Sequence, residues 1–393
     1  MPPERTEASA AQIALARAAE YAETAIRPRA GEFDRDEALP REIIDGMADL
    51  GLLGARVPVE YGGLGMDALQ YGELTETIGK ACASARTVLT VHQSLVSETL
   101  AKLGNEEQKN RYLPALASGR LIGCFALSEP DNGSDAAAMG TRYETKGDRL
   151  ILNGRKKWIS LAGIADVMIV IAAEGKAISA LLVETSTPGV EIWPMKGLLG
   201  NRAAHTSEIA FKNVEVPVEN VLGQIGAGFS FVVNTALFHG RYSIAWAGVA
   251  IGQAALEEMT TYARTREQFG RKIGQFQLVQ GMIADTVTQV HAARALCIRA
   301  GELWMADHER AIMETNIAKY FSSKAALQAA SDAVQVFGGN GCWDQYPPER
   351  LFRDARILQI IEGTSQLQQV MIANYGMRKY NRLSRGRQAG GRD

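Results

Sequence analysis

Hydrophobic positions along this chain change their spacing twice. From about residue 10 to 119 they recur at helical intervals. In PREIIDGMADLGLLG, Pro40 opens a segment whose Ile43, Ile44, Met47 and Leu50 share one face and which stops at Gly51. The later TLAKLGNEEQKNRYLPALASGR predicts short helices split by Gly104 and Pro114. From about Leu121 to Gly223, short apolar runs such as VMIVIA and ISALLVE alternate with turn residues. Asn153-Gly154, inside RLILNGRKKWIS, is the strongest hairpin signal; TSTPGVEIW and FKNVEVPVENVLG continue the pattern, so a small antiparallel β domain is expected. After Gly228 helical spacing returns, in Ile251, Ala255, Met259 and Tyr262 and again in Val279, Ile283, Val287 and Val290. Leu327, Ala330, Val334 and Phe337 repeat it before Gly338-Gly339 ends the run, which predicts a bundle of three or four helices.

The chain is therefore read as multi-domain and mainly α with a central β domain. Residues 1–120 form a helical part, 121–228 the β domain and 229–381 the helical bundle; the polar, Gly- and Arg-rich 382–393 is expected to be a disordered tail. A doubly wound nucleotide fold is excluded, because GGLGMD and GGNGC follow no strand that would make them phosphate cradles; both read as turns.

Composition narrows the function classes. With 393 residues, 46% of them hydrophobic, the chain is long enough for two or three domains and a large core. A formal net charge of -2 gives no electrostatic case for nucleic acid. Cys82, Cys124, Cys297 and Cys342 lie too far apart for a disulfide framework or a metal cluster, and the five histidines are equally scattered. No apolar run is long enough to span a membrane, and MPPERTEASA is no hydrophobic signal segment, so a reducing, cytoplasmic setting is the expectation.

One carboxylate stands out. In QIIEGTSQLQ, Glu362 follows two isoleucines and precedes Gly-Thr-Ser. An acid near a helix start is favoured by the helix dipole, and Thr364 or Ser365 could cap that helix. Apolar surroundings would equally suit a proton-abstracting base whose pKa is raised toward neutral pH. The stretch alone leaves both accounts open.

The motifs ALSEPDNGSD, KKWISLAGIAD, TREQFGRKIGQFQLVQ and QVFGGNGC through IIEGTSQ, with VPVEYGGLGMD before them, occur in an order and at a spacing that resembles the acyl-CoA dehydrogenases. The likeness covers nearly all of the chain except the first few residues and the last dozen. It implies a helical N-terminal domain, a β-barrel middle domain and a C-terminal four-helix bundle assembled as a homotetramer. It also implies FAD as cofactor and oxidation of the Cα–Cβ bond of an acyl thioester, carried by coenzyme A or an acyl-carrier protein. An electron-transferring flavoprotein would reoxidise the flavin. That chemistry needs a base for a weakly acidic α-proton, donors at the thioester carbonyl and a hydride acceptor across the acyl chain.

By this resemblance Glu362 is the base, its backbone N–H is one donor to the carbonyl, and hydride passes to flavin N5. A minority of the family carries the base just before an arginine on the first long C-terminal helix; here Gly240 precedes Arg241, with no carboxylate nearby. Ser128, Trp158 and Ser160 match residues around the isoalloxazine, and Ser134 one beside the thioester. Arg266, Phe269, Gln277, Gln335 and Gly339 match the set that holds pyrophosphate and adenosine, partly from a neighbouring subunit. Thr364 and Gln366 complete the flavin contacts, and Arg241 borders the pantetheine and acyl cavity. Taken singly, Trp158 reads as a strand aromatic, Ser128 and Ser160 as strand-end hydroxyls, Arg266 as a solvated charge, and Gln277 and Gln335 as surface amides. One cofactor site accounts for all of them together.

The chain departs from the family pattern at Ile361, where many relatives carry Tyr, and at Cys342, where an aromatic is common; Cys342 reads as a small buried residue. ACASARTVLTVHQSLV and GRYSIAWAGVA resemble the glutaryl-CoA branch and relatives acting on carrier-protein thioesters. Arg86 and Thr90 fall where that branch contacts a distal carboxylate. Gly79, however, stands where glutaryl enzymes have a glutamate, so glutaryl oxidation with decarboxylation is not the expectation. Two rivals remain: an oxygen-using oxidase or monooxygenase of the same fold, and a cofactor-free helical binding protein.

Overall fold

The computed structural model describes residues 9–381, so the expectation for the tail 382–393 lies outside the described residues. Seven α-helices come first: α1 (Ala10–Tyr21), α2 (Ala30–Asp36), α3 (Arg41–Asp49), α4 (Ala68–Ala81), α5 (Ala83–Val88), α6 (Glu98–Leu103) and α7 (Glu106–Ala117). Three begin with reciprocal caps, Ser9 with Gln12, Asp67 with Gln70 and Asn105 with Gln108, each pair satisfying two otherwise orphaned N–H groups. A π-helical stretch, Leu89–Ser97, joins α5 to α6 and is buried throughout.

Pro114 does not split a helix; it sits inside α7. An internal proline costs about 3 kcal/mol. Burial of Tyr112, Leu113, Leu116 and Ala117 on one face of α7 offsets that cost at roughly 1.5–3 kcal/mol per large side chain.

The middle of the chain is an eight-stranded sheet. Its strands are β1 (Gly123–Ala126), β2 (Arg142–Lys146), β3 (Arg149–Ile159), β4 (Val167–Glu174), β5 (Ala177–Glu184), β6 (Val190–Pro194), β7 (Ser207–Pro217) and β8 (Val221–Leu222). The hydrogen-bonded order is β6-β7-β3-β2-β4-β5-β8, with β1 on β4. Most pairs are antiparallel, but β1 runs parallel to β4, so the sheet is mixed rather than purely antiparallel.

The hairpin expected at Asn153-Gly154 lies elsewhere. Lys146 pairs with Arg149, so the turn is Gly147-Asp148, with Gly147 at φ 62°. Asn153 and Gly154 belong to β3, at an irregularity in its register with β7. A Cβ at Gly154 would lie 2.6 Å from the Thr141 Cα, which explains the glycine without a turn.

Five helices follow: α8 (Asn234–Thr265), α9 (Gln277–Met305), α10 (Ala311–Phe337), α11 (Pro347–Leu358) and α12 (Ser365–Lys379). Ala326, Ala329, Ala330 and Ala333 let α10 pack closely on α8 through Ile251, Ala255 and Met259. The stripe predicted for α9 is only partly internal: Val290 is buried, whereas Val287 is exposed. Cys342 is also exposed rather than buried, while the other three cysteines are internal. Among the described residues no helix is long and apolar enough to cross a membrane.

Candidate active site

Glu362 lies in the turn between α11 and α12, in left-handed conformation at φ 54°, and Gly363 follows at φ 89°. The turn is tied by Ile361 N–H to the Ile357 carbonyl at 3.1 Å and by Ser365 N–H to the Gln359 carbonyl at 2.9 Å. Thr364 caps α12 by accepting from the Leu367 N–H at 3.3 Å, and α12 has no acid in its first turn. Helix capping therefore explains Thr364, and it leaves Glu362 unexplained.

The carboxylate points inward. Its Oε2 is buried and has no hydrogen-bond partner among the described residues. It rests against α8 at Gly240, where a Cβ would stand 2.7 Å from Oε2 and equally close to Leu95 Cδ2. Burial pushes its pKa from the ordinary 4.5 to about 7, against the opposing pull of Arg241, Lys319 and Arg86. The backbone N–H of Glu362 finds no acceptor among the described residues, while its carbonyl accepts from Arg241 Nε at 3.0 Å. The next carbonyl, that of Gly363, accepts from Lys319 Nζ at 2.7 Å.

Arg86, on α5, is 1% exposed. Its guanidinium donates to Thr90 Oγ1 at 2.6 Å and to Thr87 Oγ1 at 3.1 Å, and Thr90 is hydrogen-bonded in turn to Ser243 of α8 at 2.7 Å. Arg86 Nε is unpartnered, and no described carboxylate lies within ion-pair distance of this guanidinium. Burial pushes its pKa down to about 10. A Cβ at Gly79 would meet Arg86 Cγ at 3.2 Å and Ala250 Cβ at 2.9 Å, so the missing glutamate has no room there without movement.

The remaining predicted residues form two further groups. Ser128 and Trp158 are neighbours, since Lys157 N–H donates to the Ser128 carbonyl at 2.9 Å. Trp158 is at φ 65° and 54% exposed, and Ser160 faces Thr206 Oγ1 at 3.4 Å. Beneath them a buried ion pair, Lys156 Nζ to Glu129 Oε1 at 2.8 Å, fastens β3 to the connection that carries Ser128 and the exposed Ser134. Arg266 and Phe269 belong to the small hairpin between α8 and α9 and Gln277 opens α9, while Gln335 lies in the last turn of α10 and Gly339 just beyond it. Tyr262 joins these segments: its ring stacks on Phe337 at 4.0 Å, and its hydroxyl accepts from Asn340 Nδ2 at 2.9 Å. Phe269 is 94% exposed, and Gln277, Gln335, Gly339 and Gln366 are exposed as well. No hydrogen bond or ion pair among the described residues joins the hairpin group to the Glu362 turn.

Sequence reasoning missed Gly240's part in seating the carboxylate and missed Lys319 and Asn316, the latter 3.4 Å from Arg241 Nη1. A signal existed for Lys319: it falls on the same helical face of α10 as Ser322, Ala326 and Ala330, where a lysine has no business in an ordinary core.

The residues present fit a flavin dinucleotide. A half-exposed Trp158 ring, the neighbouring hydroxyls of Ser128 and Ser160, and an exposed Arg266 guanidinium with no partner among the described residues are the groups such a ligand requires. Comparison with known proteins agrees. The sequence matches three family profiles: acyl-CoA dehydrogenase N-terminal domain over residues 9–120, middle domain over 124–214 and C-terminal domain over 226–377. It is 40% identical to the probable acyl-CoA dehydrogenase YngJ of Bacillus subtilis over 361 residues, 90% of this chain and 94% of that protein. The structure of butyryl-CoA dehydrogenase from Megasphaera elsdenii superposes with a TM-score of 0.91 at 33% identity, covering 96% of this chain and 100% of the other. A glutaryl-coenzyme A dehydrogenase–glutaryl-CoA complex superposes with a TM-score of 0.89 at 35% identity, covering 96% and 98%. The chain belongs to the acyl-CoA dehydrogenase family, FAD-dependent oxidoreductases that act on CH–CH bonds.

Proposed function

We propose that this protein converts a saturated acyl thioester to its α,β-unsaturated counterpart, with Glu362 as the base. The observation that carries this reading is the Glu362 carboxylate itself: internal, unpartnered at Oε2 and raised to about 7. Such a group is deprotonated in a useful fraction near neutral pH and basic enough to take a proton from carbon. FAD, when bound, supplies the acceptor for the β-hydride, so two electrons and one proton leave with it and the second proton stays on Glu362 Oε2. The unpaired N–H of Glu362 donates to the thioester carbonyl and stabilises the enolate as the α-proton leaves.

Ser128, Ser134, Trp158, Ser160, Thr364 and Gln366 serve the flavin end, and Arg266, Phe269, Gln277, Gln335 and Gly339 the pyrophosphate and adenosine. The chain divides at residues 120, 228 and 381 and works as a cytoplasmic homotetramer. Electrons leave to an electron-transferring flavoprotein. Arg241 borders the site through its hold on the Glu362 turn. Arg86 and Thr90 face the far end of the acyl chain. A buried guanidinium with only hydroxyl partners suits a polar or anionic substrate terminus.

Glu362→Gln tests the reading. The variant is expected to retain FAD and to lose substrate-driven anaerobic bleaching of the flavin by roughly 10²–10⁴-fold in rate. Undiminished bleaching would defeat the assignment. Titration with acyl-CoAs and acyl-carrier proteins of matched length, with and without a distal carboxylate, identifies the substrate. Arg86→Leu should weaken the polar-ended members selectively. Hydrogen peroxide formed in step with turnover would favour the oxidase reading instead.

A further inference from the structure

We infer that Lys319 is a positioning residue for the base: from α10 its ammonium holds the Gly363 carbonyl, locking the Glu362–Gly363 turn so that the carboxylate stays against Gly240. This rests on Glu362 being the base. Lys319 is fully buried, and no described carboxylate is within ion-pair distance of it. Its hydrogen bond goes to a single backbone oxygen, Gly363 O, at 2.7 Å. Burying an ammonium for one carbonyl is unfavourable where a methionine would fill the same space, so the charge has a local task.

The geometry shows the task. Glu362 and Gly363 are consecutive left-handed residues, and their carbonyls both turn toward the bundle. Arg241 takes the first and Lys319 the second; Gln368 Nε2 reaches both only at 3.5 Å. Without Lys319 the Gly363 carbonyl is left with that weak contact alone, and Gly363 is free to rotate the turn. The charged groups acting on the Glu362 carboxylate are Arg241 from α8, Lys319 from α10 and Arg86 from α5, all cations that favour its ionised form. Lys319 itself is held down to about 8 by burial, opposed by Glu362 and reinforced by Arg241, so it is still mostly protonated at the midpoint of the Glu362 ionisation.

Two variants separate position from charge. Lys319→Met removes both; Lys319→Gln keeps an N–H donor and removes the charge. The reading is the rate of anaerobic flavin bleaching by saturating substrate as a function of pH, beside FAD absorbance. Lys319→Met should bleach at least about tenfold more slowly, as a misplaced base does. Its ascending pH limb should also move upward by about one unit, because one of three favourable cations is gone. Lys319→Gln should recover much of the rate but keep the displaced limb. A Lys319→Gln variant no faster than Lys319→Met, or at least about tenfold slower than the native protein where Lys319→Met does not fold, overturns the proposal; so does a slowed Lys319→Met whose limb has not moved, which marks lost packing only. Glu362→Gln is run alongside. If it still bleaches, the base assignment itself has failed; if it is inert while the Lys319 variants match the native protein, only the positioning role has failed.

Discussion

At the residue scale, the Glu362 carboxylate sets a stability balance that pH can read. Its pKa rises from 4.5 to about 7 on folding, so below pH 4.5 the group is neutral in both states and costs nothing. Between 4.5 and 7 the unfolded chain ionises first and native stability falls. Above about 7 the loss is complete, on the order of 3 kcal/mol. Glu362→Gln should therefore melt higher than the native protein at pH 8 and at the same temperature at pH 4.5, by calorimetry. A gain confined to low pH would contradict the sign. Gly240→Ala tests the seat of the carboxylate: its Cβ falls 2.7 Å from Oε2, so FAD should stay bound while bleaching slows by about 10²-fold. Glu362 was legible because two isoleucines and Gly-Thr-Ser surround it in one short motif. Gly240 was not, because it was read only as a place without a carboxylate; its neighbour Arg241 meets the Glu362 carbonyl from 121 residues away.

At the element scale, the connection between β1 and β2 depends on β3. Lys156 donates to Glu129 and to the Leu127 carbonyl at 2.9 Å, while Glu129 accepts the N–H groups of Gly140 and Thr141. One buried ion pair thus fixes both ends of the segment bearing Ser128 and Ser134. Lys156→Met strands a carboxylate in the interior and should cost about 3–5 kcal/mol, whereas the double variant with Glu129→Gln should recover part of that. FAD affinity, followed by flavin fluorescence, should fall in the single variant, and the FAD-loaded fraction should still bleach at near-native rate. Equal FAD affinity in native and single variant would show that the segment is held by other contacts. Helices were the most legible elements, since Ile251, Ala255 and Met259 mark a buried face by spacing alone. Local punctuation misled twice. Asn153-Gly154 is a turn pair by composition, but Thr141 crowds the glycine from another strand; Pro114 is a breaker by propensity, but four packed neighbours hold α7 together. The parallel placement of β1 was invisible, because an apolar run carries no record of its partner's direction.

At the scale of the whole molecule, what a single chain leaves uncovered is informative. Phe269 and Leu278 are 94% and 86% exposed where α8 passes into α9, and the predicted apolar stripe of α9 continues outward at Val287. On α12, Val370 and Met377 are likewise exposed. Apolar side chains of this size, set beside an Arg266 guanidinium that has no partner among the described residues, suit a face completed by another copy of the chain rather than by water. The helical period of α9 was thus legible as an apolar stripe, but the spacing carries no record of which of its positions face the bundle and which face outward. The proposed homotetramer and the proposed sharing of FAD between subunits become one testable statement. Phe269→Ser should lower the mass in light scattering at micromolar concentration, and FAD should be lost as the assembly dissociates. Arg266→Ala should keep the assembly state of the native protein but raise the FAD dissociation constant by roughly 10- to 150-fold, the worth of a charge-assisted hydrogen bond at about 1.5–3 kcal/mol. If dissociated subunits keep FAD at native affinity, the cofactor's outer half is held within one chain, and the exposed hairpin must be explained by assembly alone.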